Sequence, residues 1–143
     1  MVVRIVSDQV VEPAPGLWSN CLLAGKQAFI SGLVAFENDQ VVGRNDPYRQ
    51  SIFIFAAMKS LVESAGGQMA DVVNLNIFVT DMKHRPAVLE ARRQFFSGNF
   101  PCSTLVSVSA LIHPELLVEI NAIAVIGASS GEMEVAAVPR AQK

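Results

Sequence analysis

The chain has 143 residues, 51% of them hydrophobic and 17% charged, with a formal net charge of -2; that balance builds one domain with a sizeable core and excludes a disordered segment. The 11 basic residues are scattered and leave no electrostatic footprint for nucleic acid, since the nearest thing to a cluster, Lys83, His84, Arg85, Arg92 and Arg93, is modest. No basic, apolar and small-residue leader pattern opens the chain and no apolar run approaches the ~20 residues that span a bilayer, so the expectation is a cytoplasmic chain with neither nucleic acid nor membrane as partner.

Val2 to Val6 reads as a short strand, and the segment Glu12-Pro13-Ala14-Pro15-Gly16 after it suits neither a helix nor a central strand. The apolar runs Cys21 to Ala24 and Gln27 to Ser31, separated by Gly25-Lys26, read as a hairpin. Asp46 before Pro47 is a helix start, a capping carboxylate followed by proline at the first helical position. Ile54, Met58, Leu61 and Ala65 then recur at helical spacing until Gly66-Gly67 stops the run. Val72 to Thr80 alternates as a half-buried strand interrupted by Phe78. Asp81 and Pro86 open a second helix carrying Val88, Leu89, Phe95 and Phe96, closed by Gly98. Thr104 to Ala110 and Leu116 to Ile126 are the last strands, joined through His113-Pro114. The order β-ββ-α-β-α-ββ implies an α+β domain over residues 1–127, a mixed β-sheet with two helices packed on one face. The other face still carries apolar residues, and oligomerisation is the natural cover for it. Residues 128–143 are small and weakly patterned, which reads as a C-terminal tail, loose or lying on a neighbouring subunit.

The most informative residue is Glu119, a carboxylate inside the last strand pattern. Leu116, Val118, Ile120, Ala122 and Ala124 share one face of that strand; Leu117, Glu119, Asn121, Ile123 and Val125 share the other. A strand apolar on both sides is usually covered on both sides, so the carboxylate has to be paired, hydrogen-bonded, protonated or facing a wet cleft. In a cleft, partial desolvation raises a carboxyl pKa and makes Glu119 an acid or base. Otherwise it is a structural glutamate bound to a neighbouring loop. Cys21 and Cys102 match no metal-ligand spacing and read as free thiols, and the two histidines, His84 and His113, suggest no metal cluster.

Five short motifs occur in one order: Gly16-x-Trp18-Ser19-Asn20, Phe29-Ile30-Ser31-Gly32, Ala65-Gly66-Gly67, Asn76-Ile77-Phe78-Val79-Thr80-Asp81, and Phe100-Pro101 with Val118-Glu119-Ile120. Together, over roughly Ile5 to Val125, they resemble the Rid (reactive intermediate deaminase) family. The resemblance implies a chorismate-mutase-like α+β fold, a homotrimer, and ligand clefts between adjacent subunits. It implies hydrolysis of enamines or imines, such as 2-aminoacrylate and its tautomer, to a keto acid and ammonium with neither metal nor organic cofactor, a carboxylate positioning the water and moving protons. By position, Glu119 matches the family's cleft glutamate, Ser31 and Gly32 match residues lining the cleft, Trp18 stands where many members have tyrosine, and Cys102 matches the residue whose backbone lies beside the ligand. Ser103 departs from the pattern. Deaminating members have arginine there, gripping a substrate carboxylate through two parallel hydrogen bonds, so efficient deamination of small 2-imino acids is not expected. Leu89 and Arg92 also differ, standing where members commonly have a polar residue and tyrosine. His113-Pro114-x-Leu116-Leu117-x-Glu119 resembles a branch that includes 2-aminomuconate deaminases, which points to a larger conjugated substrate held by a different cation.

Each remaining group has two readings. Trp18 stacks on a planar ligand or plugs a subunit boundary; Ser31 donates to a ligand or belongs to an ordinary turn. Cys102 is a small buried thiol, or a nucleophile if a base activates it. His113 is a loop residue or a proton donor near Glu119. Arg92 and Arg93 form solvated ion pairs, or one of them replaces the missing anchor. The leading expectation is a hydrolytic deaminase with Glu119 as acid and base; the alternative is a non-catalytic trimer that binds a metabolite or partner. A ribonuclease reading, attached to some relatives, is opposed by the acidic balance and the missing histidine pair.

Overall fold

The computed structural model describes residues 1–98, 100–131 and 133–141. Strand β1 (Val2–Ile5) pairs with β2 (Cys21–Ala24), and β2 turns at Gly25-Lys26 into β3 (Gln27–Val34), the hairpin expected from its two apolar runs. Gly25 takes φ 61°, a left-handed conformation that glycine adopts without a Cβ clash. A small ribbon unforeseen from the sequence follows, β4 (Phe36–Glu37) against β5 (Gln40–Val41). Its turn residues Asn38 and Asp39 both have positive φ, 51° and 58°, the geometry of a two-residue hairpin turn.

Helix α1 (Pro47–Ser64) begins as anticipated, with the Asp46 carboxylate accepting from the Arg49 N–H at 3.0 Å. It ends in a paired cap: the Gly67 N–H donates to Val62 and the Gly66 N–H to Glu63, each at 3.0 Å. Strand β6 (Val72–Val79) leads to a single 3-10 turn capped by Asp81, then to α2 (Arg85–Arg93). The second helix is shorter than its sequence pattern suggested. Phe95 and Phe96 lie beyond its end, where both rings pack on Phe55 of α1 at centroid separations of 5.5 and 6.0 Å. The apolar periodicity continued because the core needed those rings, although the backbone had left the helix. Strands β7 (Cys102–Ser107) and β8 (Val118–Val125) complete the fold.

The six long strands form one sheet in the order β1-β2-β3-β8-β6-β7, antiparallel except for the β6–β7 pair. Ile54, Phe55, Met58, Leu61 and Val62 of α1, with Val88 and Ala91 of α2, are buried in one cluster with Ile30, Leu75, Ile77, Val118, Ile120 and Ala122 of the sheet. The alternation in β8 is strict, each helix-side residue buried and each residue of the opposite face half-buried. On that opposite face Phe29 and Val106 are each 42% exposed, so the apolar surface anticipated there is open in the single chain. Among the described residues no helix is long and apolar enough to cross a membrane.

Of the segment read as a tail, Glu132, Gln142 and Lys143 lie outside the described residues. Its start is anchored. Ala128–Ser130 form a 3-10 turn, and buried Asp71 accepts from the Gln68, Gly127 and Ser129 N–H groups at 3.0, 3.1 and 2.9 Å and from the Ser129 hydroxyl at 2.7 Å. Burial pushes the Asp71 carboxyl up, but these donors, Ser129 first among them, outweigh it and hold the group below its ordinary value of 3.8.

Two devices set the position of Glu119. Between Ile30 and Leu33 the β3–β8 register slips, so that Ser31 and Gly32 together oppose Asn121 in a bulge. The other device is Gln50, wholly buried on α1. Its amide donates to the carbonyls of Gly43 at 3.1 Å and Glu115 at 3.0 Å, and accepts from the Leu117 N–H at 2.8 Å. The loop into β8 has no sheet ladder of its own, and one satisfied side-chain amide replaces it. Gln50→Leu keeps the volume and orphans those three backbone groups. With Glu115 exposed and Gly43 and Leu117 half-buried, we expect a loss of about 3 kcal/mol in urea unfolding, at about 1 kcal/mol for each group left without a partner, the low end of the range, together with faster hydrogen exchange at the Leu117 amide.

Candidate functional site

Glu119 sits in the middle of the sheet, opposite Val34 on β3 and Phe78 on β6. Its side chain is half-buried, and among the described residues it makes neither a hydrogen bond nor an ion pair. The structural alternative, a glutamate tied to a loop, is therefore not what the fold contains. Burial alone pushes its carboxyl above the ordinary 4.5. The space beside it exists because Gly32 has no side chain: a Cβ there would lie 2.9 Å from the Glu119 Cδ and 3.2 Å from Oε1.

The carboxylate opens into a hollow of about 690 Å³. Ser31 and Gly32 form its floor at the bulge, Trp18 and Phe36 flank it, and His113 lies on the loop leading to β8. Five residues singled out from the sequence, Trp18, Ser31, Gly32, His113 and Glu119, thus meet in one place. The indole Nε1 of Trp18 donates to Asn20 Oδ1 at 3.2 Å, and the side chain is still 55% exposed. Buried Asn20 is itself fixed, donating to the Val11 carbonyl at 3.0 Å and to Glu12 Oε1 at 3.3 Å. The Ser31 hydroxyl donates to the Ser19 carbonyl at 2.6 Å, which leaves its oxygen free to accept a proton from a ligand N–H. His113 Nδ1 accepts from the Glu115 N–H at 3.1 Å, so the neutral ring carries its proton on Nε2.

Four residues, Cys102, Ser103, Arg92 and Arg93, are not brought to this hollow. Cys102 is exposed rather than buried, because β7 is the edge strand with a neighbour on one side alone. It borders a separate hollow of about 520 Å³ with Val73, Phe100 and Met133. Ser103 stands opposite Leu75, and its hydroxyl accepts from Arg92 Nη1 at 2.9 Å. Arg93 makes the ordinary exposed ion pair with Glu90 at 3.0 Å. Arg92 does not: its Nε is buried with no partner, and burial followed by the charges of Arg85 and Arg93 lowers its pKa. The residues missed in the sequence are Val34, Phe36 and Ile112, which complete the wall of the hollow, and Gln50 and Asn20, which hold its loops. The Asn38-Asp39 turn signal was there to place Phe36; nothing local marks Gln50. No group of three or more acidic, histidine or cysteine side chains suited to a metal occurs among the described residues.

A carboxyl with a raised pKa destabilises the fold wherever the unfolded chain ionises more readily than the native one. That penalty is absent below about pH 4.5, grows as the pH climbs towards the raised native value, and is complete above it. Glu119→Gln should accordingly raise the melting temperature at pH 8 and leave it unchanged near pH 4, a pattern read from thermal unfolding of both proteins across that range.

A family model described as endoribonuclease L-PSP matches residues 10–126. Among solved structures, a protein of unknown function from Pseudomonas aeruginosa is 36% identical with TM-score 0.80, the match covering 89% of this chain and 94% of that one. RidA from the Antarctic bacterium Psychrobacter sp. is 29% identical with TM-score 0.77, covering 87% and 99%. YyfA of Yersinia pestis, a protein of unknown function in the conserved Rid family, has the same fold at TM-score 0.80 and 24% identity, covering 88% and 100%.

Proposed function

Because the chain belongs to the Rid family, the one matched under the description endoribonuclease L-PSP, we propose that it is a cofactor-independent hydrolytic deaminase of an enamine, imine or related unsaturated amino compound. The observation that carries the reading is the half-buried, unpartnered carboxylate of Glu119 in a hollow floored by Gly32. A raised pKa lets one group exist in both protonation states near neutrality, which suits an acid that must also be a base. Protonation of the enamine carbon by the Glu119 carboxyl gives the iminium ion, the state an imine substrate reaches by taking the same proton on nitrogen. Water then adds to the imine carbon while its proton passes to the Glu119 carboxylate. The resulting carbinolamine takes that proton back on nitrogen, the C–N bond breaks, and the products are a carbonyl compound and ammonium. Ser31 Oγ accepts from the substrate N–H, the His113 Nε2–H is a donor at the opposite wall, and Trp18 covers the planar unsaturated system.

The working unit is the domain of residues 1–127, acting in the cytoplasm as a homotrimer. Association would cover Phe29 and Val106 and bring the β7 edge of a neighbour, with Cys102 and Ser103, to the mouth of the hollow. Arg92, desolvated and bonded to a hydroxyl rather than a carboxylate, then stands in for the anchor that Ser103 lacks. The second reading, a binding module that consumes nothing, is favoured by that same serine, which offers a neutral group in place of a guanidinium.

Ammonium release from enzymatically generated imines, with and without a carboxylate and including aminomuconate-like compounds, separates the two. A deaminase releases ammonium from at least one of them and loses about 100-fold or more in rate on Glu119→Gln, the usual range for a lost acid–base group. Thermal stabilisation by compounds that are not consumed, with no release across the panel, supports the binding module instead.

A further inference from the structure

The Glu119 hollow is not alone at this end of the sheet. Pairing of β2 with β3 stops at Cys21 and Ile30, so the edge of β3 from Gly32 to Val34 has no strand beside it on that side. The irregular segment containing residues 9–18 passes there instead, leaving a second hollow of about 470 Å³ between itself, Leu33 and the α1 residues Phe53 and Ala57. Trp18, Gly32, Val34 and Phe36 line both spaces and form the wall between them. That wall is thin. Gly32 contributes no side chain, and the Trp18 indole is held by one 3.2 Å hydrogen bond to Asn20, while the Trp18 carbonyl accepts from Arg4 at 3.4 Å.

The chemistry of the second hollow differs from that of the first. Its sides are apolar, with Val10, Leu17, Phe53 and Ala57, and its polar rim carries the carboxylates of Glu12, Glu37 and Asp39 and, among the described residues, no basic side chain, although the Arg4 guanidinium reaches the rim through Glu12 and the Trp18 carbonyl. Glu12 is already paired with Arg4 at 2.7 Å, but Glu37 and Asp39 have no ion-pair partner among the described residues. An apolar chain is welcome there and a second anionic group is repelled.

We propose that the ligand of the Glu119 hollow carries an apolar substituent without a carboxylate, lodged in the second hollow behind Trp18, so that substrate length is read by Phe53 and Ala57 and charge by Glu37 and Asp39. This rests on the deaminase reading for the identity of the reacting group and deepens it by naming the substituent. A conjugated dicarboxylate would set its distal charge against the acidic rim and is rejected. The indole turns about its Asn20 tether to let the chain pass, and a substrate of two or three carbons fills the first hollow alone.

Trp18 is the only tryptophan in the chain, so its fluorescence reports on the wall directly. The probes are straight-chain primary amides from acetamide to decanamide, unreactive mimics of the substrate's C–N group, and the same chains ending in an ω-carboxylate. The expected result is a Trp18 signal whose affinity rises about threefold to fourfold for each buried methylene, levels off when the hollow is full, and falls at least tenfold with the ω-carboxylate. Ala57→Phe fills the hollow from the α1 side and moves the plateau to shorter chains; Phe53→Ala enlarges it and moves the plateau to longer ones. A folding defect cannot shift the plateau in both directions. Glu119→Gln abolishes ammonium release and keeps the length dependence, so failure of the catalytic reading and failure of this one are told apart. Affinity independent of length, a plateau unmoved by both variants, or equal binding of the carboxylated chains would overturn the proposal.

Discussion

A carboxylate that is partly removed from water and offered no partner is expensive to keep, and this fold keeps one at the centre of its sheet. Strand β8 is flanked on both sides, by β3 and β6, so Glu119 cannot move towards solvent without breaking two ladders. Its side chain can swing over Gly32 alone, because Val34 and Phe78 occupy the flanking positions and a Cβ at residue 32 would overlap the carboxyl carbon. Nothing in the apolar core requires this group. The neighbouring Asn121, on the same face, is treated differently: its side-chain oxygen accepts from the Asn76 amide at 2.9 Å. Of two polar side chains two positions apart on one strand, one has a partner on β6 and the other, among the described residues, has none.

The hollow around Glu119 is made by interruptions of regular structure, and each is held by a side chain doing the work of a missing backbone partner. Where β2 ends, the Asn20 carbonyl continues the ladder by accepting from the Ser31 N–H at 2.9 Å, while the Asn20 amide ties down the incoming segment. Where β8 has yet to begin, Gln50 binds both Glu115 and Leu117. Both amides are buried, so any misplacement would leave donors and acceptors unpaired in a dry environment, and the alternatives are strongly disfavoured. The loops bordering the cavity are thus tied by buried side-chain amides, while the Trp18 indole has a single hydrogen bond.

Much of the fold was legible because its signals are local. Alternation in Val72 to Thr80 and Leu116 to Ile126, the Asp46-Pro47 start and the Gly66-Gly67 stop each depend on residues a few positions apart; the helix signals fall where the pattern put them, and the strands appear one to three residues shorter, as Val72–Val79 and Val118–Val125. The site was legible in part for the same reason, since Glu119 breaks the alternation of its own strand; Ser31-Gly32 read as a strand end, whereas β3 runs on to Val34 and Gly32 lies inside it against the carboxyl. What escaped was non-local. The bulge needs the β3–β8 register, Gln50 acts on residues 65 and 67 positions away, and the end of α2 at Arg93 is hidden by apolar residues that serve tertiary packing instead. Cys102 was read as a buried thiol because small free thiols usually are; its exposure follows from sheet order, which no local pattern encodes.

Arg92 and Ser103 complete the physical argument. A guanidinium has five donors, and this one uses one of them on a hydroxyl 2.9 Å away while its Nε is buried and unmatched. The nearest charges that act on it, Arg85 and Arg93, are of the same sign, and no carboxylate pairs with it among the described residues. Such a cation is under electrostatic pressure to meet an anion. The unpaired carboxylate of Glu119 lies on β8 and opens into a hollow that Arg92, on α2, does not line. Within one chain, therefore, neither charge neutralises the other.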